Sequence, residues 1–245
     1  MEITGSVALV TGANRGMGRH FARQLLERGA ARVYATARRP ELVDLPGAEP
    51  LGLDITDPAS VAEAAVRARD VTLLVNNAGV ATYQDLLTGD PDLVRLEMET
   101  NFHGPLAVIR AFAPVLAANG GGAVLNMLSA LSWTSHEGAN AYAASKAAAW
   151  SLTNGVRLEL AGQRTLVTGL HVGSVDTDMM AGWDVEKSDP ADVVRAALNG
   201  IEADALEVLA DEASAGLKSA LGSDPGVLYP GTLPSSWTPS RPRNP

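Results

Sequence analysis

Residues 7–18, VALVTGANRGMG, join a short apolar run to three glycines within seven residues. The run predicts a strand buried on both faces, and an amphipathic pattern after the glycines predicts a helix over 15–28. A buried strand, a glycine turn and a helix N-terminus together bring backbone N–H groups and the positive helix end toward a pyrophosphate. A tight strand-to-helix turn with no ligand is the alternative for this segment alone.

The same strand-then-helix pattern repeats along most of the chain. Apolar runs predict strands over 7–10, 33–37, 71–75, 123–127 and 166–172, with weaker candidates at 50–53 and 206–209. Helical patterns cover 15–28, 58–68, 91–119, 139–161 and 190–203. Asp57, Asp90 and Asp189 each precede a proline, which predicts a capping aspartate with proline at the first helical position.

Alternating strands and helices of this kind predict an α/β fold with a parallel sheet covered on both faces. Right-handed crossovers then favour a doubly wound arrangement, with ligands bound at the carboxyl ends of the strands. We expect one domain over residues 1–224 and an extended, proline- and serine-rich tail over 225–245.

Composition excludes several classes of function. The 245 residues carry a formal net charge of −9, which disfavours nucleic acid as a partner. Cysteine is absent and the four histidines lie at least 33 residues apart, so no metal site is predicted. No apolar run approaches the roughly 20 residues that span a bilayer, and no signal peptide is recognisable. We therefore expect a cytoplasmic protein without membrane contact.

The end of the second predicted strand indicates which dinucleotide binds. A cofactor with a free ribose 2′-hydroxyl calls for a carboxylate there, whereas this chain has Arg38, Arg39 and Pro40 before its first acidic residue. A guanidinium suits a 2′-phosphate, and Arg15 in the glycine loop is a second candidate for the same group. Solvated surface arginines are the alternative. We predict NADP(H), with Arg38 as the stronger contact.

Taken in order, several motifs resemble the short-chain dehydrogenase/reductase family. They are the glycine loop, NNAG at 76–79, Asn101 in NFHG, Ser129, and the YAASK segment from Tyr142 to Lys146. The match runs over roughly residues 5 to 210. It implies a Rossmann-type fold with a seven-stranded parallel sheet, and NAD(P)-dependent chemistry at a hydroxyl or ketone. It also implies a homodimer or homotetramer formed through the helix that carries Tyr142 and the helix before it.

The resemblance extends to individual residues. Asp54 is expected to contact the adenine, although a turn or capping role is the alternative. Thr177 is expected at the carboxamide or pyrophosphate, despite Val172 standing where the family usually has proline, which suggests a less rigid loop. The predicted cofactor-binding set is Gly12, Asn14, Arg15, Gly16, Met17, Gly18, Arg38, Asp54, Asn76, Ala78, Gly79, Tyr142, Lys146, Gly173, Val175 and Thr177.

The predicted catalytic residues are Asn101, Ser129, Tyr142 and Lys146. Tyr142 and Lys146 stand four apart and leave a helix from the same face. One cation at about 4 Å favours the phenolate by roughly 4 kcal/mol at an effective dielectric near 20, an upper estimate that desolvation opposes. This predicts that Lys146 lowers the pKa of the Tyr142 proton donor. Ser129 is expected to hold the substrate oxygen, and the family assigns Asn101 a water in the proton relay.

Two segments, 130–140 and 178–187, are predicted to flank the substrate pocket. They contribute the candidate substrate-binding residues Ser129, Trp133, His136, Met179, Met180 and Trp183. Methionine and tryptophan indicate an adaptable apolar pocket, and packing on neighbouring helices or a second subunit is the alternative. We predict NADPH-dependent reduction of a neutral, moderately apolar ketone. The alternatives are a non-catalytic NADP(H)-binding sensor or scaffold, and a reductase of carrier-bound β-ketoacyl groups.

Overall fold

The computed structural model describes residues 1–229. Seven strands form one all-parallel sheet in the order β3-β2-β1-β4-β5-β6-β7. The strands are β1 (Val7–Val10), β2 (Arg32–Ala37), β3 (Glu49–Gly52), β4 (Leu73–Asn76), β5 (Gly122–Met127), β6 (Thr165–His171) and β7 (Glu207–Leu209). The predicted α/β, doubly wound Rossmann-type fold is confirmed.

Helices connect the strands and cover both faces of the sheet. They are α1 (Gly16–Glu27), α2 (Pro58–Arg67), α3 (Pro91–Met98), α4 (Gly104–Ala118), α5 (Asn140–Leu160), α6 (Pro190–Glu202), α7 (Glu212–Ala220) and α8 (Pro225–Leu228). The aspartate caps are confirmed, since the side chains of Asp57, Asp90 and Asp189 each accept a backbone N–H from the first turn of their helix.

The predicted helix over 91–119 is interrupted by one π-helical turn, Glu99–His103, between α3 and α4. Such a turn commonly marks a functional position, because the widened backbone turns one side chain away from the regular helix face. Here the turn contains Asn101, whose presence in a helix interior is otherwise unfavourable.

The sheet separates two apolar cores. On one face, Phe21 and Leu25 of α1 pack with Val194 and Leu198 of α6, all almost fully buried. On the other face, α4 contributes the buried Phe112, and α2 and α5 add further apolar side chains. Burial on both faces explains why the central strands read as continuous apolar runs.

Two segments near the C-terminus differ from the sequence prediction. Helix α7 was not predicted. Residues 225–228 form the single turn α8 rather than an extended segment, and the Tyr229 hydroxyl that follows accepts hydrogen bonds from Thr134 Oγ1 (3.2 Å) and Ser135 N (3.1 Å). The rest of the predicted tail, 230–245, lies outside the described residues. Within residues 1–229, no helix has both the length and the apolar character needed to cross a membrane.

Candidate active site

A cavity of about 700 Å³ opens at the carboxyl edge of the sheet. The strand order reverses between β1 and β4, so the connections from these strands leave in opposite directions and part to form a crevice. Loops after β1, β4, β5 and β6 surround the cavity, and α5 lies along one side. This is where the topology of a doubly wound fold predicts a ligand.

The glycine loop after β1 is shaped by contacts that exclude side chains. A Cβ atom on Gly18 would lie 2.1 Å from the Gly12 carbonyl oxygen, and Gly12 itself has a left-handed φ of +67°. Gly16 also has a positive φ and faces the Thr177 side chain across the crevice. Because these positions carry no side chains, the backbone of the loop is directly accessible at the N-terminus of α1.

The loop after β4 fixes the glycine loop in place. Asn77 Nδ2 donates to the carbonyls of Thr11 (2.9 Å) and Gly12 (3.3 Å). In return, Thr11 Oγ1 accepts from the backbone N–H groups of Asn77 (3.0 Å) and Ala78 (2.9 Å). Gly79 follows and lines the cavity.

Asn76 does not lie where the sequence analysis placed it. It is the last residue of β4, so its side chain points into the fold, where its Nδ2 donates to Asn126 Oδ1 at 2.9 Å. Asn77 lines the cavity instead. The strand was predicted to end at residue 75, but β4 includes Asn76, so the residue expected in the loop belongs to the buried end of the strand.

Tyr142 projects into the cavity from the first turn of α5, and Ser129 faces it from the end of β5. The start of α5 is held by the loop after β4, because Asp85 Oδ1 accepts from Gly138 N and from Asn140 Nδ2, both at 2.8 Å. Ser129 Oγ accepts the Leu131 N–H at 3.1 Å, which fixes its rotamer. Two separate elements thus present a phenol and a hydroxyl to the same space.

Lys146 is buried on the same face of α5. Its Nζ donates to the Met127 carbonyl at 2.8 Å and lies 5.6 Å from the centroid of the Tyr142 ring. Burial lowers the pKa of Lys146 to about 8, since the low dielectric penalises the ammonium form.

The expectation that Lys146 lowers the pKa of Tyr142 is contradicted. Burial raises the pKa of Tyr142, and the interaction with the Ser129 hydroxyl only partly opposes it. Desolvation of the phenolate wins because the Lys146 ammonium is bound to the Met127 carbonyl rather than to the phenol. Tyr142 is therefore protonated at neutral pH, the state that a proton donor requires.

Asn101 clamps the loop after β4. Its Nδ2 donates to the Val80 carbonyl (2.8 Å) and to Ser145 Oγ (2.9 Å), while its Oδ1 accepts from Val80 N (2.9 Å). A Cβ atom on Gly79 would lie 3.0 Å from Asn101 Oδ1 and 3.8 Å from Lys146 Nζ. The glycine thus leaves room between the amide and the ammonium.

The predicted 2′-phosphate contacts Arg15 and Arg38 do not line the cavity. They are exposed on the loops after β1 and β2, which are called the rim here. Arg38 is exposed directly after β2 and interacts with Asp54 after β3. Burial raises the pKa of Asp54, but hydrogen bonds from Thr56 and the Arg38 charge outweigh it, so the pKa lies below its ordinary value. Asp54 Oδ1 accepts from Thr56 N (3.0 Å) and Thr56 Oγ1 (2.7 Å), which is the turn role. Arg15 pairs with Asp178 at 3.2 Å in solvent.

The loop after β6 is held without the family's proline. Val172 is buried, and the N–H of Gly173 donates to Asp211 Oδ2 at 2.7 Å. Val175 pairs with Ser188 in an isolated bridge and lines the cavity with Gly173 and Thr177. An aspartate contact and a backbone bridge thus tie down the segment that the sequence analysis expected to be less rigid.

Four of the predicted substrate residues besides Ser129 line the outer cavity: His136, Met179, Met180 and Trp183. Trp133 does not. A 3-10 turn over Ala130–Ser132 directs its indole inward, where it stacks on His171 with ring centroids 3.8 Å apart and planes at 16°. Packing on a neighbouring helix, one of the alternatives given for these residues, is the outcome for Trp133, whose ring also lies 6.3 Å from that of Trp150 in α5.

Comparisons with known proteins agree with this geometry. Residues 6–188 match the family model described as short chain dehydrogenase. This chain belongs to the short-chain dehydrogenase/reductase family. It is similar to a short chain dehydrogenase from Burkholderia cenocepacia J2315 solved in complex with NADP, at 41% identity and TM-score 0.89, covering 93% of this chain and 97% of that one.

Two further relatives lie at lower identity. Carbonyl reductase (NADPH) 2 from Sus scrofa is 32% identical over 184 residues, which cover 73% of this chain and 75% of that protein. A 3-ketoacyl-(acyl-carrier-protein) reductase from Brucella melitensis, complexed with NADH, is 25% identical with TM-score 0.77, covering 84% and 97%. The protein is therefore an oxidoreductase of this family and uses a nicotinamide cofactor.

Three features of this short-chain dehydrogenase were missed by sequence reasoning. Asn77 was quoted within NNAG but given no role. Tyr83 follows four residues after that motif; its hydroxyl donates to the Met179 carbonyl and its ring lies 5.3 Å from Trp183. Helix α7 supplies cavity-lining residues, and its start was signalled by Asp211 and Ser214, which form a capping box.

Charge around the cavity is uneven. Among the described lining residues, Lys146 is the one lysine or arginine, whereas Glu186 and Glu212 are exposed carboxylates at the outer end. No cluster of three histidine, aspartate or glutamate side chains within residues 1–229 has the geometry to hold a metal ion.

Proposed function

We propose that the protein catalyses the reversible, NADPH-dependent reduction of a neutral, moderately apolar ketone to a secondary alcohol. The observation that carries this is the meeting of Ser129 and Tyr142 in one mainly apolar cavity bordered by the glycine loop. The nicotinamide supplies the hydride when bound. The chain must then hold the ketone oxygen and deliver one proton to it.

Tyr142 is the proton donor in this proposal. The phenol is protonated at neutral pH, as an unperturbed tyrosine already is, and it passes its proton to the oxygen as negative charge develops there. The Ser129 hydroxyl donates to the same oxygen and orients the carbonyl. The Lys146 ammonium supplies the proton that restores the phenol, through a water that the Asn101 amide oxygen holds beside Gly79.

NADPH is proposed over NADH on the charges at the rim. Arg38 follows β2 where a carboxylate would select a ribose hydroxyl, and Arg15, in the glycine loop, is the second candidate, although it pairs with Asp178. The 41% identical relative was solved with NADP, which supports the same preference. Turnover measured with NADPH and with NADH therefore tests this preference directly.

The substrate class follows from the cavity wall. Met179, Met180, Trp183 and Leu217 offer apolar contacts, and Lys146 is already bound to a backbone carbonyl. Nothing among the described lining residues forms a cationic clamp for a carboxylate or phosphate, which supports a neutral ketone.

Reduction of a carrier-bound β-ketoacyl group is the second candidate, since one solved relative is titled a 3-ketoacyl-(acyl-carrier-protein) reductase. The exposed Glu186 and Glu212 at the cavity mouth and the net charge of −9 oppose docking of an acidic carrier. A free β-ketoester and the same acyl group linked to a carrier protein distinguish the two, and a large preference for the linked form would favour this second candidate.

The test is an NADPH-oxidation screen over ketones of graded size and polarity, repeated with NADH. We expect turnover of neutral ketones with NADPH, and a loss of about 10²–10⁴ in kcat for Tyr142→Phe, the range typical of a general acid. Undiminished turnover by Tyr142→Phe contradicts the mechanism. Binding of NADPH with no turnover of any ketone favours a non-catalytic sensor or scaffold.

A homodimer or homotetramer is proposed as the assembled state. The family's subunit contacts run through the helix corresponding to α5, and α5 of this chain exposes Leu158 to 81%. Light scattering of the purified chain measures the mass directly, and a monomer at micromolar concentration contradicts the proposal.

A further inference from the structure

The imidazole of His171, at the end of β6, lies directly beneath the turn that carries Ser129. The residue is fully buried, and its Nδ1 is 3.0 Å from the Ser129 carbonyl oxygen. Because a carbonyl can only accept a hydrogen bond, the Nδ1 atom must be the donor. This fixes the tautomer with hydrogen on Nδ1.

The other ring nitrogen has no hydrogen-bond partner. His171 Nε2 is buried and unpaired, and the carboxylate nearest to it, Glu207 Oε1, is 3.7 Å away and accepts from Lys218 at 2.9 Å. A buried, unpaired nitrogen reduces stability, so an apolar side chain of similar size would suit this position better for packing alone. The contact with Ser129 is what a hydrocarbon side chain cannot supply.

The surroundings hold the ring in one orientation. Trp133 stacks on one face, and a Cβ atom on Gly169 would lie 3.8 Å from Nε2. Burial lowers the pKa of His171 to about 4, so the ring stays neutral and keeps its single hydrogen on Nδ1 near neutral pH.

Ser129 lies between two backbone pairs. Leu128 N donates to the Leu170 carbonyl at 2.8 Å, and Ala130 N donates to the Val172 carbonyl at 2.9 Å, so β5 and β6 remain paired on both sides. The Ser129 carbonyl lies between these pairs and accepts from His171 and from Ser132 N at 2.9 Å. The histidine therefore joins the serine's own peptide group to β6.

We infer that His171 is a positioning residue for Ser129. Its Nδ1–H sets the tilt of the Ser129 peptide and with it the direction of Oγ toward Tyr142. The inference rests on the proposed function, because it matters only if Ser129 orients the substrate oxygen. This role explains why a histidine is buried at position 171, where an apolar side chain would pack better and no proton transfer is required.

The experiment compares His171→Leu with His171→Asn, because asparagine Nδ2 can replace the Nδ1 donor and leucine cannot. We expect His171→Leu to lower kcat about tenfold through misplacement of Ser129, with the NADPH Kd unchanged and Tm unchanged or raised. His171→Asn should keep kcat within about threefold of the parent. A purely structural histidine predicts the reverse, a lower Tm in both variants with kcat preserved in the folded fraction.

A double-mutant cycle with Ser129→Ala separates this inference from the proposed function. If His171 acts through Ser129, adding His171→Leu to Ser129→Ala lowers kcat by less than about twofold. Independent losses that multiply contradict the inference, even if Ser129→Ala alone is impaired. Full activity of Ser129→Ala contradicts the proposed function itself.

Discussion

The two halves of the cavity are built by different means. The half proposed to bind the cofactor is made largely of backbone, with Gly12, Gly16 and Gly18 in the loop that Asn77 holds. The half proposed to bind the substrate is made of side chains from segments far apart in sequence, such as Tyr83, Trp183 and Leu217. Backbone recognition tolerates almost no added atoms, whereas a wall of adaptable side chains tolerates substitution. Substitutions in the glycine loop should therefore cause large losses of cofactor affinity, whereas substitutions in the side-chain wall should change substrate binding only modestly.

The largest effect is expected from Gly18→Ala. Its new Cβ would lie 2.1 Å from the Gly12 carbonyl oxygen and 2.6 Å from Asn77 Nδ2, so the loop must move. We expect NADPH affinity to fall about a hundredfold or more, because the amide groups no longer converge on one phosphate. Fluorescence titration with NADPH measures this. Gly155→Ala is the matched control, since nothing lies within 4 Å of its added atom. Equal NADPH affinity in the two variants would show that the close approach of Gly18 to the Gly12 carbonyl is not required for binding.

Lys146 lies between the two halves, and we expect its replacement to have opposite effects on stability and on activity. Burial lowers its pKa from 10.5 to about 8, so holding the ammonium inside costs folding free energy below pH 8. We expect Lys146→Met to abolish turnover yet stabilise the fold by about 1–3 kcal/mol at pH 7. The parent regains stability between pH 8 and 10.5, where the folded state binds fewer protons than the unfolded state. Denaturant unfolding at pH 7 and pH 10 measures the difference, which should shrink at the higher pH.

Arg38 tests whether the rim selects the phosphorylated cofactor. We expect Arg38→Ala to weaken NADPH binding about tenfold through loss of one charge-assisted hydrogen bond, while NADH binding changes less than about twofold. Arg39→Ala, which removes the neighbouring exposed arginine, is the control. Equal losses for both cofactors would mean that Arg38 does not read the 2′-phosphate.

The smallest effect belongs to the substrate half. Tyr83→Phe removes the hydrogen bond to the Met179 carbonyl but keeps the ring beside Trp183. We expect KM for bulky ketones to rise about threefold with kcat preserved, because one partly exposed hydrogen bond is worth about 1 kcal/mol. Tyr34→Phe, which loses a hydrogen bond to Asp70 away from the cavity, should leave KM unchanged. A fall in kcat for Tyr83→Phe would assign this residue a different role.

The same contrast explains what could be predicted from sequence. Apolar runs and Asp-Pro pairs located the strands and helix starts, because both patterns act locally. Asn76 was wrong because β4 extends one residue further than predicted, and strand ends are not set by local pattern. Trp133 was wrong because a turn directs it inward. The pKa of Tyr142 was misjudged because desolvation and the Met127 carbonyl, both set by tertiary packing, decide where the lysine charge is bound.

The hydrogen bond from Gly173 N to Asp211 joins the loop after β6 to the segment that begins α7, and so marks a point at which the chain can be exchanged. The region matched by the family model ends at residue 188, yet the cavity wall continues through Asp211 to Leu217. A chimaera that exchanges only α7 (Glu212–Ala220) and retains Asp211 leaves the buried helix α6 in place. It changes the part of the cavity wall formed by Glu212, Ala213 and Leu217. Such an exchange alters one contiguous part of the cavity wall without touching the glycine loop or Tyr142.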